Sequence, residues 1–247
     1  MHRYFLELSY LGGQYAGFQI QPNARTVQSE VEAALRIYFR KEFKLTGSSR
    51  TDAGVHALQN YFHFDSADVL DAGCLYNLNA LLPPDIALKR LVPMGPTAHS
   101  RFDALGREYE YRIYSRKDPF LAGRAFYYPY ALEKEWLDEA ARIVGSTSDF
   151  ATFSKRRSQS KTTVCTIMES EWKAEGPLLV YRVRANRFLR GMVRGLVGTM
   201  LWVGRKKMNL IEFQQVIKSG LPAEADFSVP GEGLYLINVT FPQEMGL

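Results

Sequence analysis

Arg50 and Asp52 stand two residues apart in Gly47-Ser48-Ser49-Arg50-Thr51-Asp52-Ala53-Gly54-Val55-His56-Ala57, the sharpest chemical segment of the chain. If a strand runs through Asp52, the guanidinium and the carboxylate project from one face, because side chains alternate along a strand. A neighbouring cation favours the ionised carboxylate. In that form the acid can serve as nucleophile or base. The same two residues can also be a structural ion pair closing a turn, and local chemistry leaves both readings open. Gly54 admits a positive φ, which lets the turn after Asp52 be tight. His56 follows Asp52 by four residues, but no His/Cys cluster accompanies them, so neither a metal nor another cofactor is expected.

Three further arginines, Arg187, Arg190 and Arg194, fall at i, i+3 and i+7 in an apolar stretch, on one face if that stretch is a helix. Such a stripe is either a solvated face or a basic wall that meets phosphates. Burial of Arg194 would require a partner, and Asp52 is an available one. Lys155, Arg156, Arg157 and Lys161 lie in the polar segment SKRRSQSKTT, readable as a solvated loop or as one that grips RNA. Tyr109, Tyr111 and Ile113 alternate in REYEYRIYS, the pattern of a core-facing strand.

The elements that must position these groups follow from periodicity. Tyr4, Leu6, Leu8 and Tyr10 alternate as a strand, and Thr26 is a plausible cap for a helix carrying Val27, Val31, Ala34, Leu35 and Tyr38. Residues 43–49 and 59–64 are strand candidates, 68–82 a helix ended by Pro83-Pro84, and 86–92 a strand. After a loop at 93–104, the strand around Tyr109 precedes an amphipathic helix over 132–145. Two alternating runs, 164–173 and 178–185, joined by AEGP, read as a hairpin. Helices over 187–203 and 210–219 and a strand over 234–241 complete the pattern. Each half can be written β-α-β-β-α-β. The expected fold is therefore α+β, with two ferredoxin-like (RRM-like) halves, 1–104 and 105–247, whose mainly antiparallel sheets flank a central basic cleft. A wide cleft of that kind can accept a folded RNA, which proteins read largely through shape and backbone.

Bulk properties agree with such a partner. The 247 residues are 46% apolar and 23% charged, an ordinary globular composition, with a formal charge of +5 and a pI near 9.1. A modest basic excess suits a polyanion. Cys74 and Cys165 lie far apart and read as small buried hydrophobes in a reducing compartment. There is no secretory pattern at the N-terminus and no apolar stretch of about 18 residues, so a cytoplasmic protein without a membrane span is expected. No P-loop or dinucleotide fingerprint is present.

SSRTDAGVHA resembles the signature of the tRNA pseudouridine synthase A (TruA) family, whose core is G-R-T-D-A-G-V-H-A, with Ser49 where glycine is more usual. Residues 9–35 resemble the family's opening Y-D-G-x-x-Y-x-G-W-Q…T-V-Q, with Leu11 for Asp and Phe18 for Trp. FDALGREYEYRI, NRFLRGMVRGLVG and EGLYLINVTF are similar to its R-x-Y-x-Y-x-I strand, its M-V-R helix and its final strand. The matches span nearly the whole chain in order. The resemblance implies a homodimeric, cofactor-independent isomerase that converts uridine to pseudouridine at positions 38, 39 and 40 of the tRNA anticodon stem-loop. It implies that Asp52 is the essential carboxylate, that Tyr109 lies against the target base, and that Arg50 and Arg194 belong to the site. Under that reading Arg187, Arg190, Lys155, Arg156 and Arg157 are candidates for contacting RNA. Two rivals stand beside it. One is a non-catalytic RNA-binding module of paired RRM-like sheets, although no strand carries the RNP1 pattern. The other is a glycoside hydrolase, which normally needs a second carboxylate, with Glu108 and Glu110 as the candidates.

Overall fold

The computed structural model describes residues 1–155 and 162–247, so Arg156, Arg157 and Lys161 lie outside the described residues. The chain forms two compact units, Met1–Leu105 together with Leu236–Leu247, and Gly106–Tyr235.

The first unit runs β1 (His2–Tyr10), α1 (Val27–Phe39), β2 (Thr46–Gly47), β3 (His56–Ser66), α2 (Cys74–Leu81) and β4 (Ile86–Met94). β1 pairs antiparallel with β3 on one side and β4 on the other, and β2 pairs antiparallel with β3. The core is aromatic: Phe18 and Phe62 stack with centroids 4.5 Å apart, and Phe5 meets the edge of Phe241 at 5.6 Å. Thr26 caps α1 as its sequence suggests, accepting from the Ser29 amide while the Ser29 hydroxyl accepts from the Thr26 amide.

Two elements are shorter than their periodicity implies. α2 starts at Cys74 rather than 68, because Asp71 accepts from the amides of Gly73 and Cys74 and turns the chain first. β2 is reduced from 43–49 to Thr46–Gly47. No strand therefore runs through Asp52, and alternation does not place Arg50 and Asp52 on one face. Gly47 is needed here because the Phe18 ring occupies the space where a Cβ would project.

The second unit runs β5 (Gly106–Tyr114), β6 (Phe126–Tyr127), α3 (Lys134–Gly145), β7 (Ile167–Glu175), β8 (Leu178–Ala185), α4 (Met192–Gly204) and α5 (Leu210–Ser219). β8 pairs antiparallel with β5 and β7, and β6 adds in parallel to β5. Gly176, at φ 58°, makes the β7–β8 turn. α4 begins at Met192 after Gly191 at φ 76°, not at 187. Arg187 and Arg190 therefore precede the helix, and the three-arginine helical stripe does not form. The last strand, β9 (Leu234–Thr240), borders β3, and its residues from Leu236 onward belong to the first unit. The protein is thus α+β with mainly antiparallel strand pairing. Among the described residues no helix is long and apolar enough to cross a membrane.

Candidate active site

The loop carrying Asp52 joins β2 to β3 and is held by buried polar bonds. Ser48, Ser49 and Thr51 are buried, Arg50 is exposed and Asp52 is half-buried. The chain thus alternates between anchoring residues and residues that reach outward. Asn60, fully buried on β3, donates through Nδ2 to the Ser49 carbonyl at 2.8 Å and to the Tyr10 hydroxyl at 3.2 Å. Its Oδ1 accepts from the amides of Ser49 at 3.3 Å and Tyr61 at 2.9 Å. The Tyr10 hydroxyl also bonds Thr51 Oγ1 at 2.8 Å. Both polar atoms of the Asn60 amide are thereby used, as burial demands.

A second segment braces the loop. The Phe18 amide donates to the Thr51 carbonyl at 3.1 Å. Gly17, at φ 112°, lies close enough to that carbonyl that a Cβ would sit 3.0 Å from it. The Gly12 amide donates to His56 Nδ1 at 2.9 Å, and a Cβ on Gly12 would collide with the Val55 carbonyl. Within the loop the Val55 amide donates to the Asp52 carbonyl at 3.2 Å, with Gly54 at φ 77°. Backbone bonds therefore close this turn. Arg50 forms no ion pair among the described residues, so the reading of Arg50 and Asp52 as a structural pair does not hold. The far end of the bracing segment is latched by Tyr15, whose hydroxyl donates to Asp85 and whose ring lies 5.1 Å beneath the Arg25 guanidinium. Burial, followed by the bond to Asp85, pushes the Tyr15 phenol well above its usual range.

In the second unit Tyr109 sits on β5 opposite Val183, with its ring edge-on to Phe188 at 4.9 Å. Tyr111 is fully buried; its hydroxyl donates to the Pro230 carbonyl at 2.8 Å. Burial pushes the Tyr111 phenol up, against the opposing charge of Arg194. Arg194, half-buried on α4, donates from Nε to the Val229 carbonyl at 2.7 Å and from Nη2 to the Phe227 carbonyl at 3.4 Å. Main-chain oxygens are thus among its partners, and the 227–229 segment is tied to the helix. Arg187 lies near enough to Cys165 to oppose the burial that pushes that thiol up to about 11. Arg190 is exposed, and its carbonyl accepts from the Lys155 amide at 3.0 Å. The Lys155 ammonium lies 5.6 Å over the Phe227 ring.

The hydrolase reading loses one of its carboxylates. Glu110 is buried between Arg112, at 2.8 Å, and Arg182, at 2.9 Å, and Arg112 stacks on Tyr235 at 3.9 Å. That is a structural ion cluster. A cavity of about 530 Å³ lies at the other end of β5 from Tyr109, lined by Ile113, Arg116, Tyr128 and Tyr130 among others, and contains none of the site residues named from sequence. Among the described residues no three His, Cys, Asp or Glu side chains gather as a metal site. Sequence reasoning missed Asn60. Its signal was an amide next to the aromatic residues of QNYFHF, where a buried polar side chain must have partners.

A family model described as tRNA pseudouridine synthase matches residues 140–242. Full-length relatives extend the match to the rest of the chain. The tRNA pseudouridine synthase A of Parabacteroides distasonis is 42% identical over 247 residues, covering 99% of this chain and 98% of its own. That of Azobacteroides pseudotrichonymphae is 40% identical over 243 residues, covering 98% of each. That of Bacteroides thetaiotaomicron is 42% identical over 249 residues, covering 99% of this chain and 93% of its own.

Proposed function

Because the chain belongs to the tRNA pseudouridine synthase A family, we propose that it isomerises uridine to pseudouridine in tRNA, at positions 38, 39 and 40 of the anticodon stem-loop, with Asp52 as the essential carboxylate. The observation that carries this reading is the Asp52 loop: an acid held half-exposed by a buried, hydrogen-bonded frame, in a chain matched along its whole length to relatives of that name.

The reaction breaks the C1′–N1 bond, turns the uracil, joins C5 to C1′ and removes the C5 proton. No electron or phosphoryl donor is needed. A positioned carboxylate can attack C1′, stabilise positive charge there, or abstract a ribose proton to give a glycal-type intermediate. Tyr109 offers an aromatic face to an unstacked uracil, worth about 1–3 kcal/mol, and its hydroxyl can take part in proton transfer at C5. Arg50 and Arg194 supply cations for the flipped nucleotide and its phosphates. Extruding a base from a stem costs a few kcal/mol, offset by phosphate contacts from Arg187, Arg190 and Lys155. The strand order β4-β1-β3-β2 in the first unit supports a ferredoxin-like half, and we assign the same plan to the second. We further infer a cytoplasmic homodimer, to be checked by sedimentation.

The test is incubation of the purified protein with unmodified tRNA tritiated at uracil C5. Tritium release with pseudouridine in the product supports the proposal. Binding without release identifies an RNA-binding module, and free uracil identifies a hydrolase.

A further inference from the structure

We propose that the Asn60–Tyr10–Thr51 chain of hydrogen bonds is a positioning relay, fixing the backbone on which the Asp52 carboxylate is presented; this rests on the role of Asp52 proposed above. Thr51 is the residue immediately before Asp52, and it is held through its hydroxyl and its carbonyl. Its hydroxyl meets Tyr10 Oη at 2.8 Å, and its carbonyl accepts from the Phe18 amide at 3.1 Å. Tyr10 is in turn fixed by the Asn60 amide at 3.2 Å, and Asn60 spends its remaining donor and its acceptor on the backbone of Ser49 and Tyr61. Tyr10 and Asn60 are buried on the paired strands β1 and β3, so the relay refers the loop to the sheet of the first unit.

Such a network is more elaborate than loop closure requires. Gly54 and the Val55–Asp52 backbone bond already make the turn. What the relay adds is fixation of the residue before the acid. The Thr51 carbonyl and hydroxyl are tied to different elements, which removes rotation of the Thr51–Asp52 peptide. Rates of enzymic reactions fall by as much as about 100-fold for about 1 Å of misplacement, so loss of this fixation should appear in kcat. Binding of tRNA, spread over many phosphates, should be insensitive to it.

Thr51→Val removes the hydroxyl with little change of shape, Thr51→Ser restores it, and Tyr10→Phe removes the other end of the same bond. Steady-state kinetics of tritium release should give a kcat about tenfold lower or worse for Thr51→Val and Tyr10→Phe, with KM for tRNA unchanged. Thr51→Ser should recover most of the loss. The double variant should lose little more than Tyr10→Phe alone, since that substitution already cuts the bond that Thr51→Val removes. Amide hydrogen exchange over residues 49–55 should quicken in Thr51→Val and not in Thr51→Ser. Full kcat in Thr51→Val, or equal loss in Thr51→Ser, overturns the relay. An inactive parent protein instead overturns the proposed function, while the exchange measurement still decides whether the bonds restrain the loop.

Discussion

The Gly12 amide donates to Nδ1 of His56 at 2.9 Å, so that nitrogen carries no proton and the buried imidazole is neutral, protonated at Nε2. His56 thus acts as an acceptor that ties the 11–18 segment to the start of β3. Replacing it by phenylalanine leaves the Gly12 amide without this acceptor. The expected loss is about 1–3 kcal/mol of stability, the usual cost of an unsatisfied buried donor, read by urea denaturation. An unchanged midpoint would show that the bond contributes nothing.

Gly12 and Gly13 are neighbours with opposite tolerance. A Cβ on Gly12 collides with backbone at Val55, whereas a Cβ on Gly13 meets nothing within 4 Å. Gly12→Ala should therefore displace the Asp52 loop and lower kcat, and Gly13→Ala should leave both kcat and thermal midpoint close to the parent. Equal effects of the two substitutions would contradict the close approach of segment 11–18 to the loop.

His63 gives the first unit a pH response. Its Nδ1 bonds the Ser100 hydroxyl at 2.9 Å, and the His99 ring lies at 4.4 Å. Burial pushes its pKa down to about 4, with the charges of His99 and Arg3 acting in the same direction and Asp65 and Asp103 opposing them. The folded state therefore holds His63 neutral, while the unfolded chain takes up a proton near the ordinary value of 6.5. Stability is full above that value and falls as pH drops toward about 4. Denaturant midpoints should decline from about pH 6.5 down to about pH 4, and His63→Gln should flatten most of that slope. His99, which burial also holds below its usual range, contributes to the slope that remains.

Glu110 separates an isomerase from a two-carboxylate hydrolase. Glu110→Gln removes the charge between Arg112 and Arg182, both about a quarter exposed. Solvent screening of those two cations keeps the expected destabilisation at roughly 1–3 kcal/mol, below the value for a fully buried pair. Tritium release by the folded variant should match the parent in kcat. A large loss of kcat without unfolding would make Glu110 part of the chemistry.

How far the sequence could be read depended on how local each cause is. The Thr26 cap is written in residues 26–29, and α1 starts where those residues say. The amphipathic pattern of α3 and the alternation of β5 likewise needed only their own neighbours. The start of α4 did not follow from apolar periodicity, because Gly191 at positive φ breaks a run that reads as continuous. The loop of Asp52 was legible as a motif, but not as a geometry. Its shape comes from Tyr10, Phe18 and Asn60, which reach it from positions remote in sequence. Such polar partners leave no periodic trace; only the oddity of an amide beside aromatic residues marks where one must be.

The most direct measurement is tritium release from C5-tritiated tRNA by Asp52→Asn beside the parent, with tRNA affinity determined for both at one stated salt concentration. The substitution keeps the size of the side chain and removes the ionisable acid. The account predicts release by the parent, none above background from the variant, and equal tRNA affinity. Release by Asp52→Asn at a rate comparable to the parent would contradict it.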